Sequence, residues 1–124
     1  MAASNYTNSL TELKRYQEAK KVLRKLMPVA RRTLGEDNYL TLLMRWNYAE
    51  ALSTDPSATL ADLREAVTTL EELERTARRV FGGAYPYTKN VENALRHARA
   101  KLSAREGDVE SVREAVEAMT PGDA

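Results

Sequence analysis

His97 is the only histidine of the 124-residue chain, and the chain contains no cysteine. Thiolate metal sites, disulfides and cysteine nucleophiles are thereby excluded. No aspartate or glutamate can be paired with His97 from the sequence alone, and every glutamate sits in an ordinary helix-surface context, so general acid–base work has no signal here. The glycines of GGAYP, Gly82 to Pro86, lack the spacing and the preceding strand of a phosphate-binding loop. No catalytic residue, metal ligand or cofactor is therefore expected, and the remaining candidates are residues that bind. Trp46, the only tryptophan, combines a large area with a single donor, as binding anchors do. The amides of Asn90 and Asn93, with Lys89 and His97, would form a polar row able to hold an extended peptide or its carboxylate. Each feature has a plainer reading: Trp46 packs between helices, and the row is a solvated face.

The elements that must position these residues are helices. Hydrophobic residues make up 43% of the chain and charged ones 30%, with only five glycines and four prolines. That composition suits a soluble helical domain, and no run of alternating β-branched residues announces a strand. No stretch reaches the roughly 18 apolar residues that span a bilayer. The N-terminus lacks the charged and apolar regions of a secretory signal, so an intracellular, cytoplasmic protein is expected.

The chain also echoes itself. NYTNSL (Asn5 to Leu10) returns as NYAEAL (Asn47 to Leu52). At an offset of 47, Leu13, Ala19, Leu23, Leu26, Ala30 and Gly35 become Leu60, Ala66, Leu70, Leu73, Ala77 and Gly82. A structural repeat predicts such identities, because they fall at core and capping positions. In the first copy Tyr16, Ala19, Val22, Leu23, Leu26 and Ala30 form one stripe at helical spacing, expected to be buried. Gly35 is its expected left-handed cap, and Pro28 is expected to kink the helix. The second copy carries extra residues, STDPSATL against TEL. Asp55-Pro56 within them reads as a helix start, aspartate as N-cap and proline at the first helical position. A third copy carries Val91, Leu95, Ala98 and Leu102 on one face and breaks at Gly107-Asp108. VESVREAV (Val109 to Val116) then echoes LADLREAV (Leu60 to Val67). Six helices are expected, over about 3–13, 16–34, 39–53, 56–81, 87–105 and 109–119, in one domain spanning 1–124. Its repeats cover about 1–34, 35–82 and 83–119, and 120–124 is a flexible tail.

Charge is distributed unevenly. Residues 1–34 carry eight basic and two acidic side chains, whereas residues 35–76 carry three and nine. Either sequential layers complement one another or one face attracts an acidic partner. The basic set Lys14, Arg15, Lys20, Lys21, Arg24 and Lys25 could meet phosphates, but no aromatic-interleaved or nucleic-acid motif accompanies it, so a solvated face is favoured. Arg31-Arg32 and Arg78-Arg79 fall at helix C-termini, where cations complement the macrodipole.

Leu34-Gly35, Asp37, Thr41-Leu42, Asn47 and Ala49, with Tyr16, Glu18 and Ala19, resemble the tetratricopeptide repeat of the kinesin-light-chain variety. The later copy keeps Phe81-Gly82, Tyr85-Pro86, Thr88, Glu65 and Ala66. Arg45 departs from the pattern in the middle copy, replacing an expected apolar residue, and Arg96 and Arg99 stand where small or apolar residues are expected in the third, which suits a polar capping helix at the end of the array. The resemblance implies an all-α, antiparallel helix-pair α-solenoid. It further implies that the first helix of each pair lines a concave groove, with Leu43, Trp46, Asn47 and Glu50 facing inward. Asn47 recurs at Asn5, so repeat packing explains it equally well. The implied function is a non-catalytic interaction module that binds a protein or peptide segment. A structural subunit inside a larger assembly is the alternative, favoured by incomplete first and last repeats. Nucleic acid is a distant third.

Overall fold

The computed structural model describes residues 2–119, with side chains from Arg15 onward. These residues form four α-helices: α1 (Ala2–Thr33), α2 (Tyr39–Thr54), α3 (Leu60–Phe81) and α4 (Pro86–Met119). The all-α expectation holds, and none of these helices is long and apolar enough to cross a membrane. The expectation of six helices does not hold, because two of the expected breaks are absent. The expected tail at 120–124 lies outside the described residues, as do the side chains of NYTNSL.

Within a copy, a reversal forms only where the inserted residues stand. In the middle copy they build the reversal between α2 and α3. In the first copy TEL offers neither glycine nor proline, so helix continues through it and α1 reaches 32 residues. Pro28 lies within α1 without ending it. In the third copy Gly107-Asp108 stands alone, and α4 runs on to Met119. The glycines with positive φ are Gly35 (93°) and Gly82 (88°), which end α1 and α3 as expected, and Gly107 is not among them. A glycine inside a helix costs only about 0.5–1 kcal/mol relative to alanine, too little to stop a run of strong helix formers.

Asp55-Pro56 also needs correction. Asp55 is the C-terminal cap of α2, and its Oδ1 accepts from the Ser57 amide at 2.9 Å. That turn postpones the next helix to Leu60, where Thr59 supplies the cap. The Thr59 hydroxyl accepts from the Asp62 amide at 3.1 Å, and the Asp62 carboxylate accepts from the Thr59 amide at 3.0 Å. This reciprocal pair satisfies donors that a helix start leaves open.

Cross-helix bonds define the arrangement. Thr41 meets Ala30, Tyr48 meets Arg24 and Asp55 meets Lys20, so α1 and α2 are antiparallel. Arg45 and Tyr48 reach Glu72 and Glu65, which sets α2 and α3 antiparallel. Arg78 with Glu92, Glu71 with Arg99 and Arg64 with Glu106 do the same for α3 and α4. α4 therefore lies parallel to α2 and beside it. The core sits among α2, α3 and α4, where Leu42, Leu70, Leu73 and Val91 are fully buried. Leu95 and Ala98 are buried and Leu102 packs at the edge, as the stripe on α4 predicts.

The stripe on α1 is only partly used. Ala30 is buried and Leu23 half-buried, but Val22 and Leu26 are 52% and 43% exposed, while Lys20 is buried. The free face of α4 differs in kind. Where α2 turns Leu42, Ala49 and Leu52 inward, the same offset places exposed Lys89, Arg96 and Arg99. A helix folded back from Gly107 would meet charge there, which is a physical reason for α4 to run straight.

Two substitutions probe this description. Leu70→Ala should cost about 2–5 kcal/mol in urea unfolding, with a smaller loss for half-buried Leu23→Ala. An added Cβ at Gly107 meets nothing within 4 Å. Gly107→Ala should therefore raise stability by about 0.5–1 kcal/mol, whereas a helix-ending glycine there would make alanine destabilising.

Candidate functional site

α2 and α4 are tied at both ends of their shared length. The Tyr87 hydroxyl donates to the Leu42 carbonyl at 2.8 Å, and Lys101 Nζ donates to the Ser53 carbonyl at 2.8 Å. Between these bonds the Trp46 ring stands edge-on to Tyr87, with centroids 5.2 Å apart. Tyr87 also meets Tyr39 and Phe81, each at 5.7 Å, and Phe81 stacks on Tyr85 at 4.8 Å. Edge-to-face pairs of this kind add roughly 0.5–1.5 kcal/mol each beyond burial. Burial drives the Tyr87 phenol far above its ordinary pKa, and Arg45 only partly opposes that.

This joint positions the eight binding candidates. Leu43 and Trp46 are half-buried and pack on the core, so the packing role of Trp46 is visible. Its indole N–H donates to Glu50 Oε1 at 3.3 Å. Asn47 is exposed on the same face of α2. On α4, helical spacing puts exposed Asn90 and His97 on the flank of Ala94 and Lys101, next to α2. Lys89 and Asn93 lie farther round. Lys89 pairs with Glu92 at 3.7 Å, and Asn93 Oδ1 accepts from Arg96 at 3.4 Å. The side chains of Asn47, Asn90 and His97 have no bonding partner among the described residues. The structure thus brings together Leu43, Trp46, Asn47 and Glu50 with Asn90 and His97, and leaves Lys89 and Asn93 at the margin.

The opposite side of α2 holds polar links that spacing alone does not reveal. Asp55 is buried, and its Oδ2 accepts from Lys20 Nζ and Gln17 Nε2, both at 2.9 Å. Burial alone would push the Asp55 carboxyl up. The Lys20 hydrogen bond and the amide and hydroxyl of Ser57 outweigh it and hold the pKa below the ordinary value. One turn on, Arg24 Nε donates to the Tyr48 hydroxyl at 2.9 Å, and that hydroxyl donates to Glu65 at 2.5 Å. Burial, then the Glu65 bond, raises the Tyr48 pKa. Arg45 donates to Glu72 at 2.9 Å while its Nε stays buried without a partner. Arg79 grips Asp37 with two bonds of 3.0 and 2.9 Å, which gives the helix-terminal arginine a role beyond the macrodipole. The surplus of basic residues before Gly35 and of acidic ones after it was the sequence signal for the Lys20 and Arg24 links; those of Arg45 and Arg79 lie wholly beyond Gly35 and had no such signal.

A cleft of about 750 Å³ opens between α1 and the start of α3 and is lined by Lys20, Lys21, Arg24, Lys25, Ser57 and Asp62 among others. Two members of the basic set are committed internally here, Lys20 to Asp55 and Arg24 to Tyr48. Lys14 lies outside the described side chains. Among the described residues no cluster of three or more histidine, aspartate or glutamate side chains could hold a metal ion. No family model, curated protein or solved structure matches this chain.

Asp55→Ala should cost about 3–5 kcal/mol, because it strands the buried Lys20 ammonium. The folded pKa of Asp55 is depressed, so its contribution is present above the unfolded value and is lost as pH falls through the folded one. Urea midpoints measured from pH 5 downward should therefore drop below about pH 4. In Asp55→Asn that part of the drop should be missing.

Proposed function

We propose that the chain is an intracellular, non-catalytic protein-interaction module. In this reading its four helices belong to a tetratricopeptide-like solenoid: α2 and α3 form a complete pair, and α1 and α4 contribute one helix each to adjoining pairs. The observation that carries the proposal is the α2–α4 face. Two parallel helices, locked by aromatic packing and two hydrogen bonds, present Asn47, Asn90 and His97 with free donors and acceptors beside half-buried Leu43 and Trp46. An extended peptide segment suits such a surface. Its backbone amides can pair with the asparagine side chains while an apolar side chain rests on Leu43 and Trp46. The face is preformed, so the module itself loses little freedom on binding.

A second reading, a structural subunit within a larger assembly, draws on a different observation. Val22, Leu26 and Val29 are 52%, 43% and 41% exposed on the side of α1 away from α2. A solenoid covers such a surface with another helix.

Screening the folded chain against an extended-peptide library tests the first reading. Asn47→Ala and Asn90→Ala should each weaken a selected peptide about two- to tenfold, from a lost hydrogen bond of roughly 0.5–1.5 kcal/mol. Both residues are exposed, so melting temperature should not move. Binding that is indifferent to both substitutions, or no binding at all, would reject this face.

A further inference from the structure

Glu106 is the last residue of α4 that pairs with α3, through Arg64 at 3.3 Å. Beyond it α4 continues for thirteen residues, Gly107 to Met119, or about 20 Å of helix, of which the last part passes the start of α3 at Leu60. The stripe that is buried at Val91, Leu95 and Ala98 continues on the same face through Leu102 to Val109, Val112, Val116 and Met119. There it is 50%, 64%, 56% and 80% exposed. Its flanks are acidic: Asp108, Glu110, Glu114 and Glu117 against the single base Arg113. The segment cannot cover its own helix, because the free face of α4 presents Lys89, Arg96 and Arg99.

A matching surface lies at the other end of the helix order. Val22, Leu26 and Val29 follow one another at spacings of four and three along α1 and are 41–52% exposed. Their surroundings are basic. Arg15, Lys21, Lys25 and Arg32 are exposed, and none of them forms an ion pair among the described residues. Apolar stripes of opposite flanking charge thus occur on the two terminal helices, exposed among the described residues.

We propose that these stripes bind each other between two copies of the chain, the end of α4 from one copy lying along α1 of the other. Under two-fold symmetry each copy gives one helix end and receives one, so the contact is made twice and the assembly closes. Each contact is small. The association is accordingly expected to be concentration-dependent rather than obligate, and to weaken as salt screens the flanking charges. The proposal does not depend on the α2–α4 face.

Sedimentation velocity on the full chain across a wide concentration range gives the test. The wild type should pass from monomer to dimer, and Leu26→Asp or Val112→Asp should each weaken that step about ten- to hundredfold. Both positions are exposed, so circular dichroism should show folded protein in each case. Mixing the two variants supplies the decisive arm. Leu26→Asp keeps an intact α4 end and Val112→Asp keeps an intact α1, so the mixture should associate where neither variant does alone. A wild type that stays monomeric overturns the proposal, as it would if each chain covered its own α1 stripe. So does undiminished dimerisation of Leu26→Asp, which would mean that α4 ends pair with each other, or association that strengthens with salt.

Discussion

Asp55 sits where α2 has ended and α3 has not begun, and its carboxylate serves three residues in two segments at once. It collects the Lys20 ammonium and the Gln17 amide from α1 and closes the turn through Ser57. A carboxylate this buried is tolerable only when its oxygens are occupied and a cation stands beside it. The positions of α1 and of the α2–α3 reversal are therefore coupled. The further links, Arg24 to Tyr48 to Glu65 and Arg45 to Glu72, repeat the arrangement along α2. The backbones of α1 and α3 do not approach closely, and α2 joins them both through these polar bridges and through an apolar cluster in which Leu23 and Met27 of α1 pack on Tyr48, Leu52 and Ala66. On its other flank α2 meets α4 through rings and apolar side chains.

One amphipathic pattern written three times yields two outcomes. The middle copy closes into a hairpin because STDPSATL contains a proline and an aspartate that satisfies the turn internally. The outer copies have the stripes of a hairpin but not the turn, and continuous helix is what helix-forming residues do when nothing interrupts them. The tertiary environment acts in the same direction at α4, where arginines and a lysine remove any apolar surface for a returning helix. Closure of a repeat is thus decided by about five residues rather than by the forty or so that define its periodicity.

The helical class, the position of α2, the start of α4, both glycine caps and the buried stripe on α4 were legible in the sequence, because periodicity and glycine geometry are local properties; the run of α4 through Gly107-Asp108 was not. Nor was the start of α3. Aspartate before proline normally marks an N-cap, but Asp55 is claimed by Lys20, 35 residues away, and that partner is invisible to local pattern. The buried stripe of α1 was misassigned at Val22 and Leu26 for a related reason: amphipathicity shows that a helix has an apolar face, not that anything covers it. At the candidate face, the sequence supplied the residue types and helical phase brought six of the eight together. The aromatic cluster that fixes Trp46 was missed, since Phe81, Tyr85 and Tyr87 lie at the α3–α4 turn while Tyr39 and Trp46 are far away along the chain on α2, and the two groups meet only in the fold.

That cluster gives the molecule an optical property of its own. Trp46 is the sole indole, and Tyr87 lies edge-on to it at 5.2 Å, with Tyr39 in turn against Tyr87. Light absorbed by the Tyr87 phenol is within easy range of non-radiative transfer to the indole while α4 remains seated on α2. The part of Trp46 emission that comes from exciting Tyr87 therefore follows the seating of one helix against another, without any added label.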